Sequence, residues 1–439
     1  MITTNTEIQS YLERLFPINR SLTGNGNRAS LAILSEIVPL NIKEYPTGQV
    51  VYDWEIPKEW NIKDGWIKND KGEKIVDFKK NNIHVVGYSI PINEKIEGKK
   101  LKEHLHYFIE QPEVIPYRTS YYNENWGFCL SYNSYKQLFW EEQTYEVFID
   151  AELKEGSLTL ADYILKGETD KEYLFSTYFC HPSLANDNLS GTLMNAFLAR
   201  ELSKRKLKNT YRFVFAPETI GTITYCATHE EEMKRIEAGY ILTCLAGQGN
   251  YGYKNSFVGD HLIDRVAHQT FREKQIDYIS YPFVPQGSDE RQYSSPGFRI
   301  PIGSVHKDKY HEYDFYHTSG DNLGFISIEA FISTLDIYLS IIDKLENNES
   351  FISLNPNCEP RLGKRGLYPA IGRRTMYSYE GKENKFPEYK DELDIIMWLL
   401  FYADGKHSLL DIAIKHNFHF DQLKEVLEKL KHAGLINLE

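Results

Sequence analysis

The run Cys180-His181-Pro182-Ser183-Leu184-Ala185-Asn186-Asp187-Asn188-Leu189-Ser190-Gly191 separates a strand-like stretch, 172–179, from a helix-like stretch, 192–202. An imidazole, a carboxylate and a glycine-permitted turn therefore meet where a buried strand ends and a helix begins. In open α/β sheets that edge is where ligands bind. Neutral His and ionised Asp are also natural ligands of a borderline metal such as zinc. The competing reading is structural: a helix N-terminus capped by Asn188 or Ser190, with His181 packed beside it.

The surrounding pattern supports the α/β reading. Strand-like runs at 145–153, 158–165, 173–179, 211–216, 240–245 and 300–305 alternate with amphipathic helical runs at 192–204, 230–236, 262–274 and 328–345. Such alternation predicts a mixed, mostly parallel sheet covered by helices. Residues 7–42 read as helical and join this layer. Residues 48–143 differ, with dense aromatics, short alternating runs and the turn signal Asn69-Asp70-Lys71-Gly72. They predict a β-rich insertion whose aromatics form either a small core or a carbohydrate or peptide surface. A Pro/Gly/Arg-rich segment, 356–374, precedes three helical runs at 391–402, 408–415 and 421–432, an arrangement similar to a winged helix. The expected division is 1–47 with 144–350 as the main domain, 48–143 inserted, 351–387 a linker and 388–439 the winged helix.

A chain of 439 residues with net charge −12 is poorly suited to non-specific nucleic-acid binding, which calls for a basic surface. Segment 388–439 carries ten Asp/Glu against six Lys/Arg, so packing or protein contact is expected there rather than DNA binding. Five cysteines form no paired framework, in keeping with a reducing compartment. The start, Met1-Ile2-Thr3-Thr4-Asn5-Thr6-Glu7, shows no basic or apolar leader region, and no apolar run reaches the ~20 residues that cross a bilayer. The expectation is a cytoplasmic protein without membrane attachment.

Three later segments extend the first. Phe213-Val214-Phe215-Ala216-Pro217-Glu218-Thr219-Ile220-Gly221 is a strand that ends in an acidic turn. Gly287-Ser288-Asp289-Glu290 precedes Pro296-Gly297-Phe298-Arg299-Ile300-Pro301. Tyr316-His317-Thr318-Ser319-Gly320-Asp321-Asn322 follows. Together and in this order they resemble the M28-like zinc-dependent exopeptidases, over residues ~145–345. The resemblance implies metal ligation by His181, Asp187 and His317, one or two zinc ions, and a cis peptide between Asp187 and Asn188. It implies Glu218 as general base; should Glu218 ligate metal instead, Asp289 or Glu290 takes the base role. Asp289 and Glu290 become candidates for binding the substrate ammonium. Arg20-Ser21-Leu22-Thr23-Gly24, Ile115-Pro116-Tyr117-Arg118 and Trp126-Gly127-Phe128-Cys129 narrow the resemblance. They point to bacterial aminopeptidase-like proteins with an inserted β module and a C-terminal winged helix, sometimes associated with surface-polysaccharide biosynthesis.

The chain departs from the family pattern in three places. Ser183 stands where His-x-Asp would place an acid, Thr219 where a second Glu would bind metal, and Cys244 where an Asp ligand is expected. Cys244 is then either a thiolate ligand or a buried structural residue, and Glu218 either base or ligand. The expected function is a metal-dependent aminopeptidase acting on a peptide or related amide. The alternatives are an amidohydrolase or acyl-transfer enzyme on an amino sugar, and an inactive binding or scaffold protein. A homo-oligomer or a protein partner through the C-terminal domain completes the expected interactions.

Overall fold

The computed structural model describes residues 4–368 and 392–438. The chain forms two units, 1–267 with 276–339, and 268–275 with 340–439. The larger unit is built on an eight-stranded sheet in the order Asn41–Pro46, Ser157–Leu165, Thr210–Ala216, Glu172–Tyr178, Ile236–Ile241, Ile302–Lys307, Tyr251–Lys254, Tyr278–Tyr281. Four consecutive strands, Thr210–Ala216, Glu172–Tyr178, Ile236–Ile241 and Ile302–Lys307, run parallel; Ser157–Leu165 and Tyr251–Lys254 join them antiparallel on either side, and Tyr278–Tyr281 pairs parallel with Tyr251–Lys254.

Glu172–Tyr178 and Thr210–Ala216 are buried at every position, as parallel strands covered on both faces must be. The one cation inside this pair, Arg212, is matched by Glu172 across the ladder and donates to Tyr225 Oη at 2.8 Å, so no buried charge is left uncompensated. On one face Phe175 packs edge-on against Tyr338 of the helix Ile328–Asn347.

The expected helical run 7–42 resolves into two helices, Asn5–Leu15 and Asn25–Leu34, followed by the edge strand Asn41–Pro46. The run 230–236 keeps only one helical turn, Glu230–Met233, before the chain enters the strand Ile236–Ile241. The inserted region contributes Glu59–Lys68, Lys74–Asp77 and Ile92–Glu97, which pair antiparallel with Thr144–Lys154 in a four-stranded sheet. Part of its aromatics form a core, where buried Trp60 stacks on Tyr88, while Trp66 stacks on Phe148 on a half-buried face of the sheet. That core is continuous with the main sheet, because Trp60, Phe128 and Tyr145 share one cluster with Leu174, Tyr178 and Val214.

In the smaller unit, Asp404–Ser408, Ser350–Ser353 and Ile436–Leu438 form a three-stranded sheet with the helices Glu392–Phe401, Leu409–His416 and Phe420–His432. Residues 369–391, which include the end of the expected linker and the start of the run at 391, lie outside the described residues. No described helix is long and apolar enough to cross a membrane.

Candidate active site

The chemistry-bearing residues gather beyond the carboxyl ends of the parallel strands. After Tyr178 the chain enters the polar turn 180–190, and every residue of that turn is buried. Burial of so many polar groups is tolerable only if they are hydrogen-bonded. The two asparagines supply most of the bonds. Asn188 Nδ2 donates to Tyr178 O at 2.9 Å and Leu242 O at 3.1 Å. Asn186 Nδ2 donates to Lys307 O at 3.1 Å, while its Oδ1 accepts the Ala246 N–H at 3.0 Å. Ser190 Oγ accepts the Leu245 N–H at 3.0 Å. The turn is thereby tied to the ends of three strands. Gly191 is required for this approach, since a Cβ there would lie 2.2 Å from Leu242 O. The helix Gly191–Ser203 has no side-chain cap, so capping is not the role that Asn188 and Ser190 perform.

Asp187 sits between these two anchors. Its backbone N–H and that of Asn186 both donate to the buried carboxylate of Asp321, at 2.9 and 2.6 Å, and Tyr313 donates to the same group at 2.8 Å. Tyr178 donates to Asp187 Oδ1. The Asp187–Asn188 peptide is cis, as the resemblance implied. Oδ2 of Asp187 lies 3.0 Å from His317 Nε2, yet neither atom makes a hydrogen bond of acceptable geometry. His181 completes the group, and the ligating atoms of His181, Asp187 and His317 all lie within 4.8 Å of one another. Two buried lone-pair atoms without partners, in a set of two imidazoles and a carboxylate, fit a divalent cation. Burial lowers His181 to about 4, which leaves its imidazole neutral at pH 7. Burial works to raise Asp187, but the two imidazoles outweigh it and hold the carboxyl at about 2.

Glu218 follows the strand Thr210–Ala216, and its Oε2 lies 3.9 Å from His181 Nε2. Its side chain keeps 27% exposure, and burial together with the Asp289 and Asp187 carboxylates pushes its carboxyl up. The next residue, Thr219, takes φ 64° and ψ −81°, and Ile220 N–H closes back onto Glu218 O at 2.8 Å. This three-residue turn of the rarer hand is strained for a β-branched residue. Cys244 and His317 also adopt positive φ, 55° and 53°, so unusual backbone clusters around the same centre.

The other expected residues already have partners. Asp289 accepts the Thr219 N–H at 2.8 Å. Glu290 is buried, paired with Lys254, and accepts from Tyr310 Oη at 3.2 Å and Ser288 N at 3.1 Å. It is therefore not the unpaired carboxylate that ammonium recognition calls for, because a buried lysine already occupies it. Cys244 is fully buried with its thiol pushed up by burial. It belongs to neither of the two groups of potential ligands among the described residues, the one formed by His181, Asp187 and His317 and the one formed by Cys180, His181 and Glu218.

The wall of the site is the part that sequence reasoning missed. Tyr117, from the inserted region, lies 5.3 Å from the rings of both His181 and His317. Its N–H donates to His317 O at 2.8 Å, Ser319 N–H donates to Ile115 O at 2.8 Å, and Pro116 bridges Thr318. Tyr316 stacks on His317 at 4.0 Å. Nothing in the segment 115–118 itself signals a partner so far along the chain. Asp321 is visible in the sequence as part of a motif, but its part in holding the Asp187 turn is not.

The arrangement has the fold of the M28-type zinc aminopeptidases. It is similar to a zinc aminopeptidase of Bacillus subtilis, with TM-score 0.55 and 15% identity, covering 78% of this chain and 93% of that one. It is also similar to an M28 peptidase precursor of Shewanella amazonensis, with TM-score 0.54 and 13% identity, covering 78% and 92%. At such identities the likeness concerns the fold alone. The chain belongs to the family described as a domain of unknown function (DUF4910), matched over residues 9–348, and a winged helix-turn-helix family matches residues 349–438. It is 44% identical to a Clostridium acetobutylicum protein described as a polysaccharide biosynthesis protein with an aminopeptidase-like domain, over 99% of this chain and 97% of that one. A crystal structure of a C. acetobutylicum protein described as a peptidase matches with TM-score 0.91 and 41% identity, covering 99% and 96%.

Proposed function

We propose that this chain is a divalent-metal-dependent hydrolase of a peptide or related amide bond. The observation that carries the reading is the convergence of His181, Asp187 and His317 at the carboxyl edge of the sheet, with Asp187 Oδ2 and His317 Nε2 left without hydrogen-bond partners. These three side chains would hold the ion. Zinc suits the donor set, and it is the metal named for the B. subtilis neighbour. When bound, such an ion polarises a carbonyl and makes water acidic enough to ionise near neutral pH. Glu218, beside His181, accepts the proton of the attacking water and returns it to the departing amine. Asp321 and Tyr178 hold Asp187 in place, while Tyr117 and Tyr316 flank the imidazoles and narrow the space open to solvent. Thr219 and Cys244, at two expected ligand positions, favour one ion over two.

An aminopeptidase in the strict sense needs an unpaired carboxylate for the substrate ammonium. Glu290 is neutralised by Lys254, and Asp289 is engaged by the Thr219 N–H. That pair of observations favours a second reading, in which the substrate amide carries no free ammonium beside it, as in the N-acyl group of an amino sugar. The relative's name, with its reference to polysaccharide biosynthesis, agrees with it. All five cysteines are free, which supports a reducing, cytoplasmic setting. The acid excess of 388–439 supports a packing or protein-contact role for that segment.

The test is hydrolysis of two panels, aminoacyl amides and N-acyl amino sugars, with added zinc, manganese or cobalt and a chelator control. Chelator-sensitive turnover of either panel is expected, and the panel turned over chooses between the readings. Absence of ion-dependent turnover on both would leave the binding or scaffold role.

A further inference from the structure

A metal-bound imidazole ordinarily donates its other N–H to an acceptor that fixes its tautomer and orientation. In the His-x-Asp pattern that acceptor would stand at Ser183. Here Ser183 takes φ 47°, and its hydroxyl donates to Phe16 O at 3.0 Å instead of meeting His181. The imidazole has another neighbour. Cys180 Sγ lies 3.4 Å from His181 Nδ1, and the same sulfur accepts the Glu218 N–H at 3.3 Å. Cys180 is fully buried, so water does not compete for these contacts. One sulfur atom thus touches both the residue read as a metal ligand and the residue read as the general base.

We propose that Cys180 is the positioning residue of this centre, its sulfur accepting the Nδ1–H of His181 in place of the missing carboxylate. This leaves the Nε2 lone pair on the side of Glu218, 3.9 Å away, where an ion and a base can share one substrate. The second contact sets the backbone of Glu218 by the same atom, so the ligand and the base are registered to each other. A thiol is a weaker acceptor than a carboxylate, and its use here suits an enclosed site where a second buried charge would have to be compensated. The proposal rests on the reading of His181 as a ligand, and the experiment separates the two.

The experiment uses the full chain with its histidines labelled with nitrogen-15. In metal-free wild-type protein, long-range proton–nitrogen correlation should report His181 as the Nδ1–H tautomer. The Nε2–H tautomer in that sample would overturn the proposal without any variant. Cys180→Ala should then lose the single tautomer and bind cobalt(II) about 10-fold or more weakly, the range for loss of a group that orients a ligand. Cys180→Ser should recover most of both. A folded Cys180→Ala protein with wild-type cobalt affinity would overturn the proposal. So would a sulfur-to-cobalt charge-transfer band in the wild type that Cys180→Ser abolishes, which would make Cys180 a ligand. If wild-type protein binds no cobalt, the metal-centre reading fails, while the tautomer still decides the part played by Cys180.

Discussion

Two helices of this chain follow strands, and the polar side chains before them find their partners in opposite ways. At Leu409–His416 they do so locally. Ser408 Oγ accepts the Asp411 N–H at 3.3 Å, and Asp411 Oδ2 accepts the Ser408 N–H at 2.8 Å, the reciprocal box that sequence spacing alone announces. Gly191–Ser203 has no such cap. The polar side chains before it reach instead to carbonyls and N–H groups at the ends of other strands, as far away in sequence as Lys307. A cap closed within four residues stabilises a helix and leaves nothing over. A turn anchored on both sides by asparagine holds one carboxylate in a buried position with an atom still unpaired. The first device serves stability, and the second builds a site.

The largest effect expected from this contrast is on turnover. Glu218→Gln is nearly isosteric and should keep the fold and the bound ion, while activity on the responsive panel falls by ~10²–10⁴-fold, the usual contribution of a general base. Loss of the ion together with activity would recast Glu218 as a ligand. Undiminished, chelator-sensitive activity would remove it from the chemistry.

Next comes the anchoring of the turn. Asp321→Ala removes the acceptor of the Asn186 and Asp187 N–H groups. Each buried donor left without a partner costs roughly 1–3 kcal/mol, so denaturant unfolding should show a loss of a few kcal/mol together with weaker ion binding. A variant that loses stability but binds the ion as tightly as wild type would show that Asp321 supports the fold and not the Asp187 position. At the other helix, Ser408→Ala should cost about 1 kcal/mol and leave ion binding and turnover unchanged. Any change in ion affinity there would break the separation between the two devices.

How legible each feature is in the sequence follows from how local it is. The turn 180–191 and the segment 316–322 carry their chemistry in neighbouring residues, and it is the family resemblance of those segments that joins His181, Asp187 and His317 before the structure is seen. The alternation of strands and helices marks the central parallel strands because apolar clusters such as Leu174-Phe175 and Phe213-Val214-Phe215 recur between helical runs. The edge strand Asn41–Pro46 has no buried position and offers no comparable signal. Ile220–Thr228 is rich in β-branched residues yet forms a helix, because its packed environment overrides a weak propensity. The contacts between Tyr117 and the two imidazoles, between Lys254 and Glu290, and between Cys180 and its two neighbours depend on tertiary placement. No spacing rule in the sequence encodes them.

The central claim is that His181, Asp187 and His317 hold a divalent ion. The most direct measurement is the metal content of full-length protein purified without chelator, compared with His181→Ala and His317→Ala proteins prepared in the same way. The account predicts close to one equivalent of zinc or a similar ion in the wild type and its loss in both variants. Equal metal content in all three proteins would place the ion elsewhere and contradict the account.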